Sequence, residues 1–243
     1  MQARHLAAIF LLIAGTATGA AAQETELFIL STVTRLHPEL SYYDFAELRR
    51  RILEVRPDVI VLEVRPDELA ERKETPGRPE YPAVVFPLLL EKQYTTYPME
   101  PGEPLFGEMV QSHATLLQKF KESRPDASAT VNAYEAAAVA ALRACWRSPA
   151  DVNSPFTDRI VEAKHEMQSA LMGPSRAEGW ARWNDYMVDA VRRAMAENPG
   201  KRVLALVGYD NAYWMRARLT DLPGARIIDM HQALGGKATP CGA

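Results

Sequence analysis

The run Val59–Leu62 constrains the fold of this chain more than any other feature of its sequence. Its residues are all apolar and mostly β-branched, which is typical of a strand buried on both faces of a sheet. An earlier apolar run, Glu26–Val33, predicts a first strand. Between the two, Ser41 can cap a helix whose apolar residues fall on one face as far as Val55. Strand, helix and buried strand together predict a βαβ unit with a parallel strand pair.

A long helical region separates this unit from the late strands. Residues 93–97 predict a short third strand, 201–207 another buried strand and 225–228 a last short strand. Helices are predicted over 104–123, 129–147, 156–171 and 176–197. We therefore predict an α/β fold with a mainly parallel sheet, flanking helices and a long helical insertion at about 104–197.

Composition agrees with a globular domain. Of the 243 residues, 47% are hydrophobic and 24% are charged, which is too apolar and too mixed in charge for a disordered chain. The 28 Lys and Arg residues against 31 Asp and Glu leave a formal net charge of −3. No broad basic surface is expected, and we expect no nucleic-acid partner.

Residues 1–22 predict a cleavable export signal rather than a part of the fold. Arg4 gives a positive start, Leu6–Ala14 is an unbroken apolar run, and small residues follow as far as Ala22. A retained anchor is disfavoured because the run is far shorter than the ~20 residues that a bilayer needs, and no later stretch reaches that length. We expect no stable membrane span and one exported α/β domain over 23–243, periplasmic or secreted.

The two cysteines leave two alternatives open. Cys145 lies in an alanine-rich helical run, and Cys241 lies near the C-terminus. An oxidising compartment permits a disulfide between them, which would stabilise the fold by closing a long loop. The other alternative is a buried free thiol at Cys145 and a loose thiol in the tail.

Several motifs of known chemistry are absent from the sequence. It has no glycine-rich phosphate loop, no G-x-S-x-G, no H-E-x-x-H and no paired C-x-x-C. His165 is followed by Glu166 but lacks a second histidine four residues on, so we expect it on a solvated helix face. His113 and His231 are isolated, which is more typical of surface or core histidines than of metal ligands.

The ends of the predicted buried strands carry the best candidate site residues. In parallel α/β sheets, ligands bind outside the carboxyl ends of the strands, and polar segments here are 31–35, 63–65 and 208–211. Glu63 is the most informative, because a carboxylate directly after a buried strand is costly to bury without a partner. Arg65, two residues on, is expected to supply that partner. The pair is either functional or a structural ion pair at the rim of the sheet.

Four segments, in order, resemble the motifs of the TraB/TIKI/GumN-type proteins, in the broader group that includes the erythromycin-esterase and ChaN-like proteins. They are Ser31–Thr34, Pro57–Glu63, Trp183–Met187 and Val207–Asn211. In that family the first strand ends in Gly-Thr-x-His and the second reads Pro-Asp-x-x-x-x-Glu. A middle helix carries Arg-Asn- or Arg-Asp-x-x-Met, and a late strand ends in Val-Gly-x-x-His.

The chain departs from these motifs where the family's chemistry is expected. Thr34 and Asn211 stand where the two histidines belong, and Trp183 stands where the arginine belongs, with Arg182 adjacent. The resemblance implies that the histidines and the glutamate bind a metal or move protons in a hydrolase or peptidase. Thr and Asn neither titrate near neutral pH nor bind transition metals strongly. Of the implied set, three residues remain: Glu63, Asn184 and Arg65.

The favoured hypothesis is a TraB/TIKI-like binding or structural domain with a degenerate active site. A small molecule or peptide would lie in a cleft at the carboxyl ends of the strands, where binding residues are expected at Thr34, Asn184 and Asn211. The first alternative is a metal-dependent hydrolase or peptidase with a rearranged site, which would need a divalent metal as cofactor. Its candidate catalytic residues are Glu63, Arg65, Asp210 and His37. The second alternative is an unrelated exported ligand-binding domain.

Overall fold

The computed structural model describes residues 24–72 and 77–237. The predicted export signal and Cys241 lie outside the described residues, so the export signal and the disulfide stay predictions. Within the described part of the chain, five parallel strands form one sheet in the order β3-β2-β4-β1-β5. The strands are β1 (Thr25–Thr32), β2 (Val59–Leu62), β3 (Thr95–Pro98), β4 (Arg202–Gly208) and β5 (Ala225–Ile228).

Helices flank this sheet, and half of the α-helices lie between β3 and β4. They are α1 (Phe45–Val55), α2 (Pro66–Glu71), α3 (Phe86–Glu91), α4 (Leu105–Ser123), α5 (Pro125–Cys145), α6 (Pro149–Val152), α7 (Pro155–Met172), α8 (Pro174–Glu197), α9 (Tyr209–Arg218) and α10 (Met230–Ala233). The α/β fold with a long helical insertion is thereby confirmed. Four helices of the insertion begin at a proline, because the missing N–H costs nothing in the first turn of a helix.

Strand β4 lies between β1 and β2. The βαβ prediction is correct in that β1 and β2 run parallel, but each of them pairs with β4 rather than with the other. Leu204 lies beside Phe28 on one side and beside Ile60 on the other. This order places Gly208, the last residue of β4, between the ends of β1 and β2.

Both faces of the sheet are covered, as expected from the continuous apolar runs. Alternate residues of each strand point to opposite faces, so that Ile60 and Leu62 join one buried cluster while Val59 and Val61 join another. Helix α1 packs on the first face and α8 on the second. No helix in the described ranges is long and apolar enough to cross a membrane.

Candidate functional site

A polar cavity of about 330 Å³ lies at the carboxyl ends of β1, β2 and β4. Four of the residues singled out from the sequence line it: Thr34, Glu63, Asp210 and Asn211. They come together because the three strands are neighbours and end at the same edge of the sheet. The other three candidates, His37, Arg65 and Asn184, do not line the cavity.

Glu63 lies on the floor of this cavity, and its side chain is fully engaged. The residue is 2% exposed. Its Oε1 accepts hydrogen bonds from Arg78 Nη2 and Asn211 Nδ2, both at 2.8 Å, and its Oε2 accepts one from the Gly208 N–H at 2.6 Å. A buried carboxylate is tolerated where a charge partner and further donors satisfy its oxygens.

The ion-pair partner of Glu63 is Arg78, not Arg65. Arg65 is the N-cap residue of α2, and its guanidinium pairs with Asp67 at 3.0 Å and lies over the ring of Phe106. The expectation that Arg65 is the partner of Glu63 is wrong because β2 ends at Leu62, and Arg65 already begins the next helix. Arg78 comes from a segment whose prolines and glycine predicted only a loop, so no local pattern marked it.

Two further carboxylates lie behind Glu63. Arg78 Nη2 also lies 2.8 Å from Glu100 Oε1, and Thr32 donates a hydrogen bond to Glu80 Oε1 at 2.9 Å. Burial raises the pKa of Glu80 and that of Glu100 to about 7. We call Glu63, Glu80, Glu100 and Arg78 the carboxylate cluster. Sequence reasoning missed Glu80 and Glu100, since neither follows a predicted buried strand.

Gly208 and Thr34 approach each other closely at the wall of the cavity. A Cβ on Gly208 would lie 3.3 Å from Glu63 Oε2 and 3.3 Å from the Thr34 methyl carbon, so a larger residue would displace one of them. Thr34 has φ of 47°, in the left-handed region that β-branched residues rarely adopt. Thr34 is therefore held in a strained conformation beside the end of β4.

Asp210 forms a second charged group on the cavity wall. Lys164 Nζ pairs with Asp210 Oδ1, and His165 Nε2 lies 3.3 Å from Asp210 Oδ2. Although burial alone would raise the pKa of Asp210, the contact with His165 and the charge of Lys164 hold it well below its usual range. Asp210 therefore remains ionised and paired.

His165 is buried, so its predicted place on a solvated helix face is wrong. It is 4% exposed and stacks on Trp180 with ring centroids 3.8 Å apart. Arg176 Nη2 donates to its Nδ1 at 3.0 Å. Burial lowers the pKa of His165, and because arginine can only donate, the neutral ring carries its proton on Nε2, towards Asp210. His165 thus bridges Arg176 and Asp210.

His37 and Asn184 make local contacts instead of facing the cavity. His37 is buried in a 3-10 turn, where its Nδ1 donates to the Tyr43 carbonyl at 2.6 Å and its Nε2 accepts from the Val33 N–H at 3.2 Å. Burial lowers the pKa of His37 to about 4. Asn184 donates to the Trp180 carbonyl within its own helix at 3.0 Å. Both ring nitrogens of His37 are therefore used by the backbone.

The residues around the cavity do not form a metal site. No group of three His, Cys, Asp or Glu side chains in the described residues is arranged to hold a metal ion. The carboxylate oxygens of Glu63 accept hydrogen bonds from three donors, and Asp210 is paired with Lys164 and His165. Catalytic zinc sites supply three protein ligands, and this donor set does not provide them.

Two charged residues on the cavity lining are unpaired. Arg35 and Glu135 line the cavity but form no ion pair with any residue that the structure describes. The Oδ1 of Asn211 accepts no hydrogen bond from the described residues either. The cavity thus offers one cation and one anion that no described residue pairs with.

Comparisons with known families, curated proteins and solved structures found no match to this chain.

Proposed function

We propose that this chain is an exported binding domain, related to the TraB/TIKI/GumN-type proteins, that holds a small zwitterionic molecule in the polar cavity without metal-dependent catalysis. The engagement of Glu63 carries the proposal. A general base or a metal ligand needs a carboxylate oxygen that can turn to its target, whereas both oxygens of Glu63 are held by Arg78, Gly208 and Asn211.

The residues at the two histidine positions support binding over catalysis. Asn211 uses its amide N–H to hold Glu63, and Thr34 faces Gly208 with a methyl group. His37, the nearest histidine along the chain to Thr34, has both ring nitrogens bound to the backbone. Glu63 therefore organises the floor of the cavity rather than acting on a substrate.

The charges of the lining indicate the class of ligand. Arg35 can pair with a carboxylate, and Glu135 can pair with an ammonium group, as in a free amino acid or a short peptide. At roughly 30 Å³ per non-hydrogen atom, the cavity holds about eleven such atoms, the size of a dipeptide of alanine.

Calorimetric titration with Ala-Ala tests the proposal. We expect Ala-Ala to bind more tightly than its N-acetyl form or its C-terminal amide, since each derivative removes one charge. Arg35→Ala should weaken binding of Ala-Ala much more than binding of the amide, because the amide has no carboxylate to lose. Glu135→Gln should weaken binding of Ala-Ala much more than binding of the N-acetyl form, which has no ammonium group. Arg193→Ala, an exposed change on α8, is the matched control and should leave binding unchanged.

Two results would overturn the proposal. Equal binding of Ala-Ala and both derivatives would show that Arg35 and Glu135 do not recognise the ligand's charges. Hydrolysis of Ala-Ala by the wild-type protein, abolished in Glu63→Gln, would favour the metal-dependent hydrolase or peptidase with a rearranged site.

A further inference from the structure

A second cavity, of about 410 Å³, lies between α4 and α8, and none of its lining residues belongs to the polar cavity. Most of its surface is apolar. The apolar part is formed by Met109, Val110, Leu116, Leu117, Trp180 and Trp183. Val110 and Leu117 are 46% and 43% exposed at its mouth. Apolar cavities of this volume that contain a few polar groups are typical of small-molecule sites.

One buried cation on this lining has no ion-pair contact with the described residues. Arg176 is 5% exposed, and its Nη2 donates to Gln168 Oε1 at 2.8 Å and to His165 Nδ1 at 3.0 Å. It forms no ion pair with any residue in the described ranges. Buried arginines are rare unless they are paired, because removing the charge from water is costly. Asp210 and Glu135 act on Arg176 only from beyond ion-pair distance, so its guanidinium can still take a carboxylate as a direct partner.

The other charged side chain on this lining is also a cation. No Asp or Glu lines this cavity, and its second cation, Arg182, forms no ion pair with the described residues either. The Arg176 guanidinium lies over the ring of Trp180, 4.9 Å from its centroid, which fixes its plane at the wall. An occupant of this cavity meets fixed positive charge beside apolar surface.

We propose that this second cavity binds a straight-chain aliphatic monocarboxylate, with its carboxylate paired to Arg176 and its chain packed along α4 and α8. A single carboxylate matches the planar donor face of one guanidinium. At roughly 30 Å³ per non-hydrogen atom, the cavity holds about fourteen such atoms, which is enough room for decanoate.

Titration calorimetry with decanoate, decanamide and acetate separates recognition of the carboxylate from recognition of the aliphatic chain. Decanamide keeps the length and removes the charge, while acetate keeps the charge and removes the chain. We expect decanoate to bind at least roughly tenfold more tightly than decanamide, the least that one charge-assisted pair contributes, and acetate to give no measurable binding. Equal affinities for decanoate and decanamide would overturn the proposal.

Two sets of variants locate the site. Arg176→Gln should reduce the affinity for decanoate to that for decanamide, with the midpoint of thermal unfolding checking that the variant is folded. Leu117 is exposed, so Leu117→Glu and Leu117→Gln should both fold, and they differ only in charge. The glutamate should weaken decanoate binding several-fold more than the glutamine, because it places a like charge at the mouth.

The remaining outcomes are also decisive. Equal effects of the two Leu117 substitutions and an unchanged affinity in Arg176→Gln would place decanoate elsewhere and overturn the proposal. A dimer in sedimentation experiments that does not bind decanoate, but that Leu117→Glu dissociates, would show that a second copy covers this surface. That result would overturn the proposal. Because Arg176 and Leu117 do not line the polar cavity, failure here leaves the Ala-Ala experiment unaffected.

Discussion

Arg78 binds Glu63 through two hydrogen bonds, from Nη1 to the main-chain carbonyl and from Nη2 to side-chain Oε1, each 2.8 Å long. The same guanidinium also pairs with Glu100. Both carboxylates are almost fully buried. A single side chain from a loop therefore compensates the charge of two buried acids at the edge of the sheet.

Removing Arg78 should be strongly destabilising. In Arg78→Met the buried carboxylates lose their counter-charge, and we expect the free energy of unfolding to fall by about 3–5 kcal/mol at pH 7. The loss should be smaller at pH 5, where Glu100 is protonated in the folded state. Urea denaturation at both pH values measures it. Arg35→Met, at an exposed arginine without an ion pair among the described residues, should change stability little; similar losses in both variants would contradict this account.

Glu80 should make the protein less stable as the pH rises. Burial raises the pKa of Glu80 from 4.5 to about 7. Between these values the folded protein holds a proton that the unfolded chain releases, so the stabilisation present below pH 4.5 is lost as the pH rises through 7. Glu80→Gln cannot lose this proton. We therefore expect the free energy of unfolding of Glu80→Gln, relative to that of wild type, to increase between pH 5 and pH 8. Urea denaturation measures both values.

The comparison with wild type at each pH is the control for other titrating groups. His37 acts in the opposite direction, because burial lowers its pKa to about 4 and its protonation at low pH opposes folding. It is unchanged in Glu80→Gln, so its contribution cancels in the difference. A difference in unfolding free energy that does not vary with pH would show that Glu80 does not titrate in this range.

Thr34→Gly should stabilise the protein. The left-handed backbone at Thr34 strains a β-branched residue, and glycine relieves that strain. We expect a gain of about 1 kcal/mol in the free energy of unfolding, reduced by the greater flexibility of glycine in the unfolded chain. Thr130→Gly, at an exposed helical position in α5, should instead lose a few tenths of a kcal/mol, roughly the difference in helix propensity. A loss at both positions would show that Thr34 is not strained.

Histidines at positions 34 and 211, where the motifs that this chain resembles carry them, should create metal affinity. In Thr34→His, Asn211→His, two imidazoles would line the cavity beside Glu63, whose Oε1 lies 2.8 Å from Asn211 Nδ2. Calorimetric titration with Zn²⁺ should show binding at least roughly tenfold tighter than wild type, since two nitrogen ligands join one carboxylate. Tight binding by wild type that is lost in Glu63→Ala would instead favour an active hydrolase. Absence of binding by both proteins would remove the chemical support for the family resemblance.

Reduction of the oxidised protein should lower its thermal stability if Cys145 and Cys241 are paired. A disulfide that closes so long a loop contributes about 4 kcal/mol in the chain-entropy account, so the midpoint of thermal unfolding should fall by several degrees on reduction. Cys241→Ser should melt like the reduced protein. Two thiols counted in denatured, non-reduced exported protein would contradict the pairing.

The sheet was predictable from the sequence because its strands are marked by local patterns. Val59–Leu62 and Val203–Val207 are continuous apolar runs, and both belong to strands buried on two faces. The position of β4 between β1 and β2 was not predictable in the same way. Strand order depends on how the helical insertion returns the chain to the sheet, and no periodicity within a strand encodes it.

The site was predictable only where its residues follow the strands directly. Glu63 and Asn211 do so, and they are in contact. Arg78 and Glu100 reach the cluster from elsewhere in the chain, and residues far apart in sequence leave no shared local signal. His165 was placed on the wrong kind of surface because the pattern of α7 alone does not reveal Trp180 and Arg176, which cover it from α8.

His165 lies between Arg176 and Asp210, which belong to the linings of two different cavities. Arg176 lines the apolar cavity and Asp210 lines the polar one, and one imidazole contacts both. Groups that share a partner in this way have non-additive effects when they are changed together. If both proposed ligands bind, we therefore expect the affinity measured for one of them to change when the other is present.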